Sequence, residues 1–395
     1  MGSYMKKVIF VLLIVLLSID GFGEVESFLY SPRQLALGGT TLLHPFDSIY
    51  FLKNPAIVSY TKQPNFYITK LSLLSGANMG YLDKTLNLSS YQLSSLWAGF
   101  DYSTLLSNVM NDPYGVALNS DPEVGLFGPI NLGYIGNGIG IMVYDDSFSS
   151  LDIKQMPGLP YVVLKSFSEL GVTFGVGTYF SVSKFYTLHT GISFSYYKRY
   201  KVPFDQGASV PELMNYYEKV QNNIYEYDVS DSLSGNIGLI LDDGDHLKYA
   251  ITLENFFGRT FNWSRTRFTE SKEETLNYNY YQTYLPPSLN LGVMYYLPKI
   301  PYIPSFLLSE FMVELDIKNL IKSEFWYKKL SLGTEISLLK VVKLRGGINE
   351  GYPTLGLGID FYYLTIDLAV YQYEKGVLPG QQGSQSLSLS LEIKI

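Results

Sequence analysis

Residues that could carry catalytic or metal chemistry are few in this chain. It has no cysteine and only three histidines, His44, His189 and His246, so a thiolate metal site is excluded. No serine, histidine and acid stand in an order that a strong neighbouring motif supports, which disfavours a lipase or a protease. The run Asp242-Asp243-Gly244-Asp245 lacks the later bidentate glutamate of a calcium loop, so we interpret it as a solvated hairpin turn. The sequence predicts no enzyme, no metal site and no cofactor.

Two stretches have residue types that could bind an amphiphile. In 198–231, the order Ser209-Val210-Pro211-Glu212 predicts a capped helix with proline in its first turn. Its apolar side chains would form a hydrophobic landing surface or, alternatively, pack over the fold for stability: Leu213, Met214, Tyr217 and Val220. In 257–287, aromatic and guanidinium side chains could receive an amphiphile through ring contacts and charge pairing, or could face lipopolysaccharide: Trp263, Arg265, Arg267 and Tyr281.

The elements that must position these stretches are strands with two unlike faces. From Leu387 to Ile395, aliphatic residues alternate without a break with polar or charged ones. Successive side chains of a strand point to opposite faces, and this length suffices for a tilted strand to cross a bilayer. The same alternation recurs at 364–371 and 311–318. Because a bilayer does not tolerate an open sheet edge, we expect the sheet to close into a barrel.

Counting such segments predicts the size of the barrel. From the C-terminus, the predicted strands are 387–395, 364–373, 354–361, 341–348, 330–339, 309–318, 288–297, 247–256, 232–241 and 187–197. Further upstream they are 171–181, 159–167, 138–145, 124–135, 93–103 and 65–74. The predicted fold is therefore all-β, a transmembrane antiparallel β-barrel of about fourteen strands, with sixteen as the alternative.

Loop lengths test this assignment, since such barrels have short periplasmic turns and longer external loops. If Ile395 is periplasmic, the two longest connections, 198–231 and 257–287, both lie outside. The rule fails upstream, where 168–170 would be a very short external hairpin and 146–158 a long periplasmic turn. Alternation also predicts a set of lumen-lining side chains: His189, Met294, Tyr296, Glu335, Arg345 and Tyr371.

Composition and the first residues indicate export. Charged residues are only 16% of the chain, against about 25% in an average soluble domain. The net charge of -7 argues against a nucleic-acid partner. Lys6 and Lys7 precede an apolar run over 8–19, and Gly21-Phe22-Gly23 then provides small residues, so 1–23 is predicted to be a signal peptide. That run falls short of the roughly 20 residues that a membrane helix needs.

One segment, 31–60, breaks the strand rhythm with Leu35-Ala36-Leu37-Gly38-Gly39 and, later, Asn54-Pro55-Ala56. Here the chain resembles the long-chain fatty acid transporter family of outer-membrane barrels, including related barrels of type IX secretion and of spirochaetes. That family has a plugging hatch with an Asn-Pro-Ala motif shortly after the signal peptide. This sequence departs from the family at Ile57, where the family commonly has glycine. Without the resemblance, Asn54-Pro55 can also be interpreted as a turn that joins two strands.

The resemblance implies a function and a domain organisation. Residues 24–60 would form an N-terminal plug and 61–395 the barrel. The protein would take up hydrophobic or amphiphilic, fatty-acid-like small molecules passively through a plugged lumen in the bacterial outer membrane, surrounded by outer-membrane lipid. Two alternatives stay open: a surface-layer anchor or secretion shuttle that binds exported proteins, and a general diffusion porin.

Overall fold

The computed structural model describes residues 30–44, 47–61, 64–77, 123–156, 159–204, 208–269, 272–298, 304, 308–322, 325–361, 363–374 and 383–395. The predicted signal peptide over 1–23 and the predicted strand at 93–103 lie outside these residues.

Antiparallel strands dominate the described residues. The strands are β1 Asn65–Ala77, β2 Glu123–Gly136, β3 Ile139–Met156, β4 Leu159–Ser181, β5 Thr187–Lys201, β6 Ala208–Ser209, β7 Tyr225–Asp242, β8 Leu247–Glu254, β9 Arg259–Thr269, β10 Lys272–Leu285, β11 Ser288–Tyr296, β12 Leu308–Ile317, β13 Leu330–Leu338, β14 Val342–Asn349, β15 Tyr352–Phe361, β16 Leu364–Glu374 and β17 Gly383–Lys394. The helices are α1 Pro32–Ala36, α2 Ser48–Lys53, α3 Ile57–Tyr60, α4 Val210–Gln221 and α5 Trp326–Lys329.

Within the described part of the chain, fourteen strands form a closed ring. β1 pairs with β17, where Leu71 lies opposite Leu391, and also with β2, where Leu73 lies opposite Leu126. Around the ring the order is β1 to β5, then β7, β8 and β11 to β17. The ring has no edge strand, as a bilayer-spanning sheet requires. The predicted barrel of about fourteen strands is confirmed.

The two faces of β17 are those that alternation predicts. Leu387, Leu389 and Leu391 are 48%, 46% and 39% exposed, whereas Ser388 and Ser390 are buried. The aliphatic side chains therefore lie on the outside of the ring and the serines inside it. Because Ser390 is buried, a large residue at this position would meet a packed interior. We therefore expect the lumen face of β17 not to tolerate large substitutions.

The upstream strands differ from the prediction in one respect. Residues predicted as two strands, 159–167 and 171–181, form the single strand β4, and β3 runs on to Met156. The predicted long turn at 146–158 and the short hairpin at 168–170 are therefore wrong. Glu169 points into the lumen and pairs there with Arg199, which satisfies the carboxylate within a continuous strand. With one long β4, the external connection between β3 and β4 is only 157–158, and the periplasmic connection between β4 and β5 is 182–186.

The long external connections contain regular structure. Residues predicted as the 257–287 loop form the hairpin β9–β10, and β9 pairs with the first residues of β7, Tyr225 opposite Phe268. The hairpin thus extends the barrel wall.

The predicted helix is confirmed as α4: the backbone N–H and hydroxyl of Ser209 both donate to Glu212 Oε2, at 2.8 and 2.9 Å. These hydrogen bonds lower the pKa of Glu212.

The outward face of β17 allows a test by depth. We expect Leu389→Arg to destabilise the barrel by about 2–4 kcal/mol, because the guanidinium would lie near the bilayer midplane. Ile395→Arg, at the periplasmic end of the same strand, should cost about 0–1 kcal/mol. Urea unfolding in lipid vesicles measures both values. Equal destabilisation by the two substitutions would contradict the outward orientation of this face.

Candidate functional site

The candidate site is built around residues 30–44 and 47–61, here called the interior segment, which lie inside the ring of strands. Side chains along the segment are almost wholly buried, among them Leu37, Ile49 and Phe51 at 0% exposure. Inward-facing glycines on eight strands leave room for it, since a Cβ at each would meet atoms of the segment: Gly140, Gly175, Gly191, Gly238, Gly292, Gly333, Gly347 and Gly356. The segment therefore contacts the wall on opposite sides of the barrel.

The turn Asn54-Pro55-Ala56 is fixed by the side chain of its first residue. Asn54 Oδ1 accepts a hydrogen bond from the Ala56 N–H at 3.1 Å, and Asn54 Nδ2 donates to the Leu42 carbonyl at 2.7 Å. Such a short polar side chain closes a turn on itself. Gly191 and Gly238, which are paired across β5 and β7, lie directly behind the turn, and a Cβ on either would collide with it.

Gly38 and Gly39 end α1 and bring the chain against the opposite wall. Gly38 has a φ of +67°, a conformation that favours glycine, and its N–H donates to Thr354 Oγ1 on β15 at 3.1 Å. The Gly39 N–H returns to the Gln34 carbonyl at 2.7 Å, and the Gly39 carbonyl accepts from Lys318 Nζ at 3.0 Å. Gly38 and Gly39 are thus hydrogen-bonded both to the wall and to α1.

A buried ion-pair network ties α1 to strands β13, β14 and β16. Arg33 Nη2 lies 2.9 Å from Glu335 Oε1, and Arg345 Nε lies 2.6 Å from Glu335 Oε2. Arg345 Nη1 also contacts Asp367 at 2.5 Å. All four side chains are at most 8% exposed. Because buried charges are tolerated only when paired, this network holds α1 in one position on the wall.

A second ion-pair network ties α2 to the strands where the barrel closes. Asp47 Oδ1 accepts from the Ile49 N–H at 3.0 Å, capping α2, and lies 2.5 Å from Lys70 Nζ on β1. Lys70 Nζ also contacts Glu392 of β17 at 2.7 Å. Here the ladder between β1 and β2 is interrupted by a register shift between Tyr67 and Ser72.

An aromatic and cationic cluster lies nearer the external connections: Glu169, Arg199, Lys201, Arg259, Phe261 and Trp263. Glu169 Oε2 accepts from Arg199 at 2.7 Å and from Arg259 at 2.5 Å. Phe261 stacks on Trp263 at 5.5 Å between ring centroids, and Lys201 Nζ lies 3.9 Å from the centre of the Trp263 ring. Along β5, Arg199 is eight residues beyond Gly191, or roughly 26 Å. The cluster therefore lies closer to the external end of the barrel than the Asn54 turn does.

Several of the residues predicted to capture a ligand are engaged in contacts within the protein. Arg265 contacts both carboxylate oxygens of Asp228, at 2.7 and 3.1 Å, and Arg267 contacts Glu226 at 2.7 Å. Trp263 is fully buried, stacked between Phe261 and the partly buried Tyr281. Hairpin formation turns the ring of Trp263 inward, and its role in ligand capture stays a prediction. In α4, Val220 is partly buried, and the side chains of Leu213, Met214 and Tyr217 lie outside the described residues.

Each residue predicted to line the lumen lies on the inward face of its strand. Glu335 and Arg345 belong to the ion-pair network, and Tyr371 packs with Leu35 and Ala36 of α1. Met294 is buried among residues of the interior segment. Two lie toward the periplasmic end: the His189 ring lies 5.2 Å from that of Tyr60, and the Tyr296 ring lies 4.3 Å from Lys248 Nζ.

Sequence reasoning missed the partners within the interior segment and the wall: Arg33, His44, Asp47, Lys70, Glu169, Arg199 and Arg259. Alternation alone could have placed Glu169 and Arg199 on lumen faces, had β4 been predicted as one strand. Arg33 and Asp47 lie outside any strand, so no periodic signal marks them.

The described residues give no support to catalytic or metal chemistry. Ser59 Oγ comes within 3.5 Å of His189 Nδ1, but its hydroxyl donates to the Ala56 carbonyl at 3.0 Å and is already engaged. The predicted turn at Asp243 is confirmed, with Asp243 Oδ1 accepting from the N–H groups of Asp245 and His246 at 2.9 Å. No group of His, Asp and Glu that could hold a metal ion occurs in this part of the chain. No helix in it is long and apolar enough to span a membrane.

Comparison with known proteins gives structural matches alone. No protein-family model and no curated protein matches the chain. A solved structure of the TodX monoaromatic hydrocarbon channel, a deltaS2 mutant, matches at a TM-score of 0.49 and 11% identity, over 94% of this chain and 99% of that one. A Pseudomonas aeruginosa FadL homologue matches at a TM-score of 0.43 and 12% identity, over 95% and 99%. Outer membrane phospholipase A from Escherichia coli matches at 0.27 and 10%, over 83% and 97%.

The closed ring with its outward aliphatic face decides where this protein resides. An antiparallel sheet without edges, apolar outside and polar inside, is the structure that β-proteins use to cross the outer membrane. The chain is a bacterial outer-membrane β-barrel. The aliphatic surface of the barrel therefore faces lipid, and the interior segment lies in the lumen of the barrel.

Proposed function

We propose that this barrel lets hydrophobic or amphiphilic small molecules cross the outer membrane passively, and that the interior segment closes the lumen at rest. The observation that carries the proposal is the set of inward glycines on eight strands that accommodate the interior segment. A ring of fourteen strands has an interior wider than wall side chains alone fill, so the segment fills it instead.

The aromatic and cationic cluster supports an amphiphilic substrate. Stacked rings provide apolar contact area, and the guanidinium groups of Arg199 and Arg259 lie among them. Arg259 lies 3.6 Å from the centre of the Tyr197 ring. A molecule with an apolar body and a polar end, entering from outside, would meet this wall before the interior segment.

The interrupted ladder between β1 and β2 offers an exit. In the residues described, regular pairing resumes only at Ser72 opposite Phe127, beside the contact of Lys70 with Asp47. Displacing Asp47 from Lys70 would free the start of α2 beside this interruption of the wall. An apolar molecule could then leave into the membrane. A general diffusion porin is disfavoured, because such a pore needs an open lumen.

A reversible cross-link tests whether the interior segment must move. A Cβ at Gly292 would lie 3.2 Å from Leu42 Cβ, close to the roughly 3.5–4.5 Å of a disulfide. The chain has no cysteine of its own. In the double variant Leu42→Cys, Gly292→Cys, we expect oxidation to abolish uptake of phenylnaphthylamine into vesicles that contain the protein, and reduction to restore it.

The two single-cysteine variants are the controls, and oxidation should leave their uptake unchanged. Complete cross-linking with undiminished uptake would mean that transport does not require this movement. Uptake that requires an added exported protein would favour the secretion-shuttle alternative.

A further inference from the structure

The outer wall of the barrel carries an apolar groove that the transport proposal does not use. Its volume is about 370 Å³, and it lies across β4, β5 and β7. The lining residues are Val176, Gly177, Thr178, Thr190, Gly191, Ile192, Ile237, Gly238 and Leu239. The side chains of Val176 and Ile237 are 41% and 37% exposed, on the lipid-facing side of their strands.

A row of three glycines accounts for the groove. Gly177 is paired with Gly191, and Gly191 with Gly238, so the three lie side by side across three strands. Their backbones pack directly against the interior segment: a Cβ on Gly177 would meet Val58, and a Cβ on Gly191 would meet Pro55. The wall is drawn inward here, which leaves a depression on its outer side.

The depth of the groove places it in the periplasmic leaflet. Gly238 lies four residues before Asp242, the end of β7, or roughly 13 Å along the strand. The neighbouring turn at 182–186 lies at the same end of the barrel and contains Lys184. Phe185 in this turn is 75% exposed and Tyr186 is 43% exposed. Aromatic and lysine side chains at this level are typical of the membrane interface.

We propose that this groove binds one acyl chain of a phospholipid from the periplasmic leaflet, with the lipid phosphate near Lys184. The groove is continuous with the lipid-facing surface of the barrel, so the molecules that reach it are membrane lipids. The glycine backbones separate it from the lumen, so a transported molecule inside the barrel does not enter it. Charge favours this occupant, because Lys184 is a cation at the level of the phosphates.

A bound chain would also support the interior segment from outside. The glycine row has no side chains to hold its inward position, and the Asn54 turn presses on its inner face. Filling the outer depression restores packing contacts to backbone that otherwise lacks neighbours on that side.

The test uses vesicles of phosphatidylglycerol that carry a photoreactive group in the middle of one acyl chain. After illumination of the unmodified protein, we expect cross-links to peptides that contain residues 176–178 and 190–192. In Thr190→Trp, which fills the groove from the lipid side, these cross-links should fall to background. The matched control is Leu368→Trp, an outward residue at similar depth on β16, which should keep them. Lys184→Gln should reduce the yield roughly fivefold, as loss of about 1 kcal/mol from one interfacial lysine implies.

Uniform cross-linking around the barrel, or an undiminished yield in a folded Thr190→Trp variant, would overturn the proposal. So would labelling by a photoreactive free fatty acid with none by the phospholipid. Because the first measurement uses the unmodified protein, it remains decisive if the tryptophan variant fails to fold.

Discussion

Deleting residues 31–56 is expected to turn a barrel that conducts no steady current into an open pore. These residues include α1, α2 and the Asn54 turn, and they contact glycines on opposite walls. Without them, a ring of fourteen strands encloses more space than its own side chains fill, so water and ions enter. Single-channel conductance in planar bilayers measures the change.

Folding of the deletion variant must be shown separately, by its heat-modifiable migration in a gel. Asn54→Leu provides a graded comparison. It removes the hydrogen bonds to Ala56 and Leu42 without shortening the chain, so we expect brief openings instead of steady current. A large steady conductance in the intact protein, or a folded deletion variant that stays closed, would refute a closing role for this segment.

Replacing Glu335 with Gln is expected to destabilise the barrel by about 3–5 kcal/mol, because it leaves buried cations without their carboxylate. Glu335 lies between Arg33 of the interior segment and Arg345 of the wall, and its side chain is only 3% exposed. The substitution keeps the size of the side chain and removes its charge. Urea unfolding in detergent, followed by tryptophan fluorescence, measures the loss.

The ion pair between Lys394 on β17 and Asp360 on β15 is a matched control. Its atoms are 3.7 Å apart and its side chains are 14% and 28% exposed. Asp360→Asn should therefore cost about 0–1 kcal/mol, since water screens a partly exposed pair. If Glu335→Gln costs no more than Asp360→Asn, the buried network does not hold the interior segment.

A double variant distinguishes loss of the network from loss of one partner. Glu335→Gln leaves the buried guanidinium of Arg33 without its carboxylate. Adding Arg33→Met removes that charge as well. We expect the double variant to recover part of the stability, because an unpaired buried charge accounts for much of the cost of breaking a buried ion pair. Conductance should rise in both variants, since α1 has lost its ionic contact with β13 in each.

Several elements could be predicted from sequence because their determinants are local. The alternation in β17 sets its two faces whatever the strand pairs with, and the turn at Asp243 follows from short polar side chains beside a glycine. The helix α4 begins where Ser209 and Glu212 form their local hydrogen bonds. By contrast, β4 was predicted as two strands, because the residue that satisfies Glu169 lies on another strand.

The sequence by itself therefore determined the strands, their lipid and lumen faces, the size of the barrel and the unusual character of 31–60. Only the tertiary structure decided where that segment lies and what holds it. Arg33 and Glu335 are 302 residues apart in sequence, and Lys70 meets Asp47 and Glu392 only where the last strand closes on the first. Strand periodicity indicates which face a side chain occupies, but it does not indicate which distant side chain that residue contacts. The partners inside the lumen are fixed by closure of the ring, which brings all fourteen inward faces onto one segment.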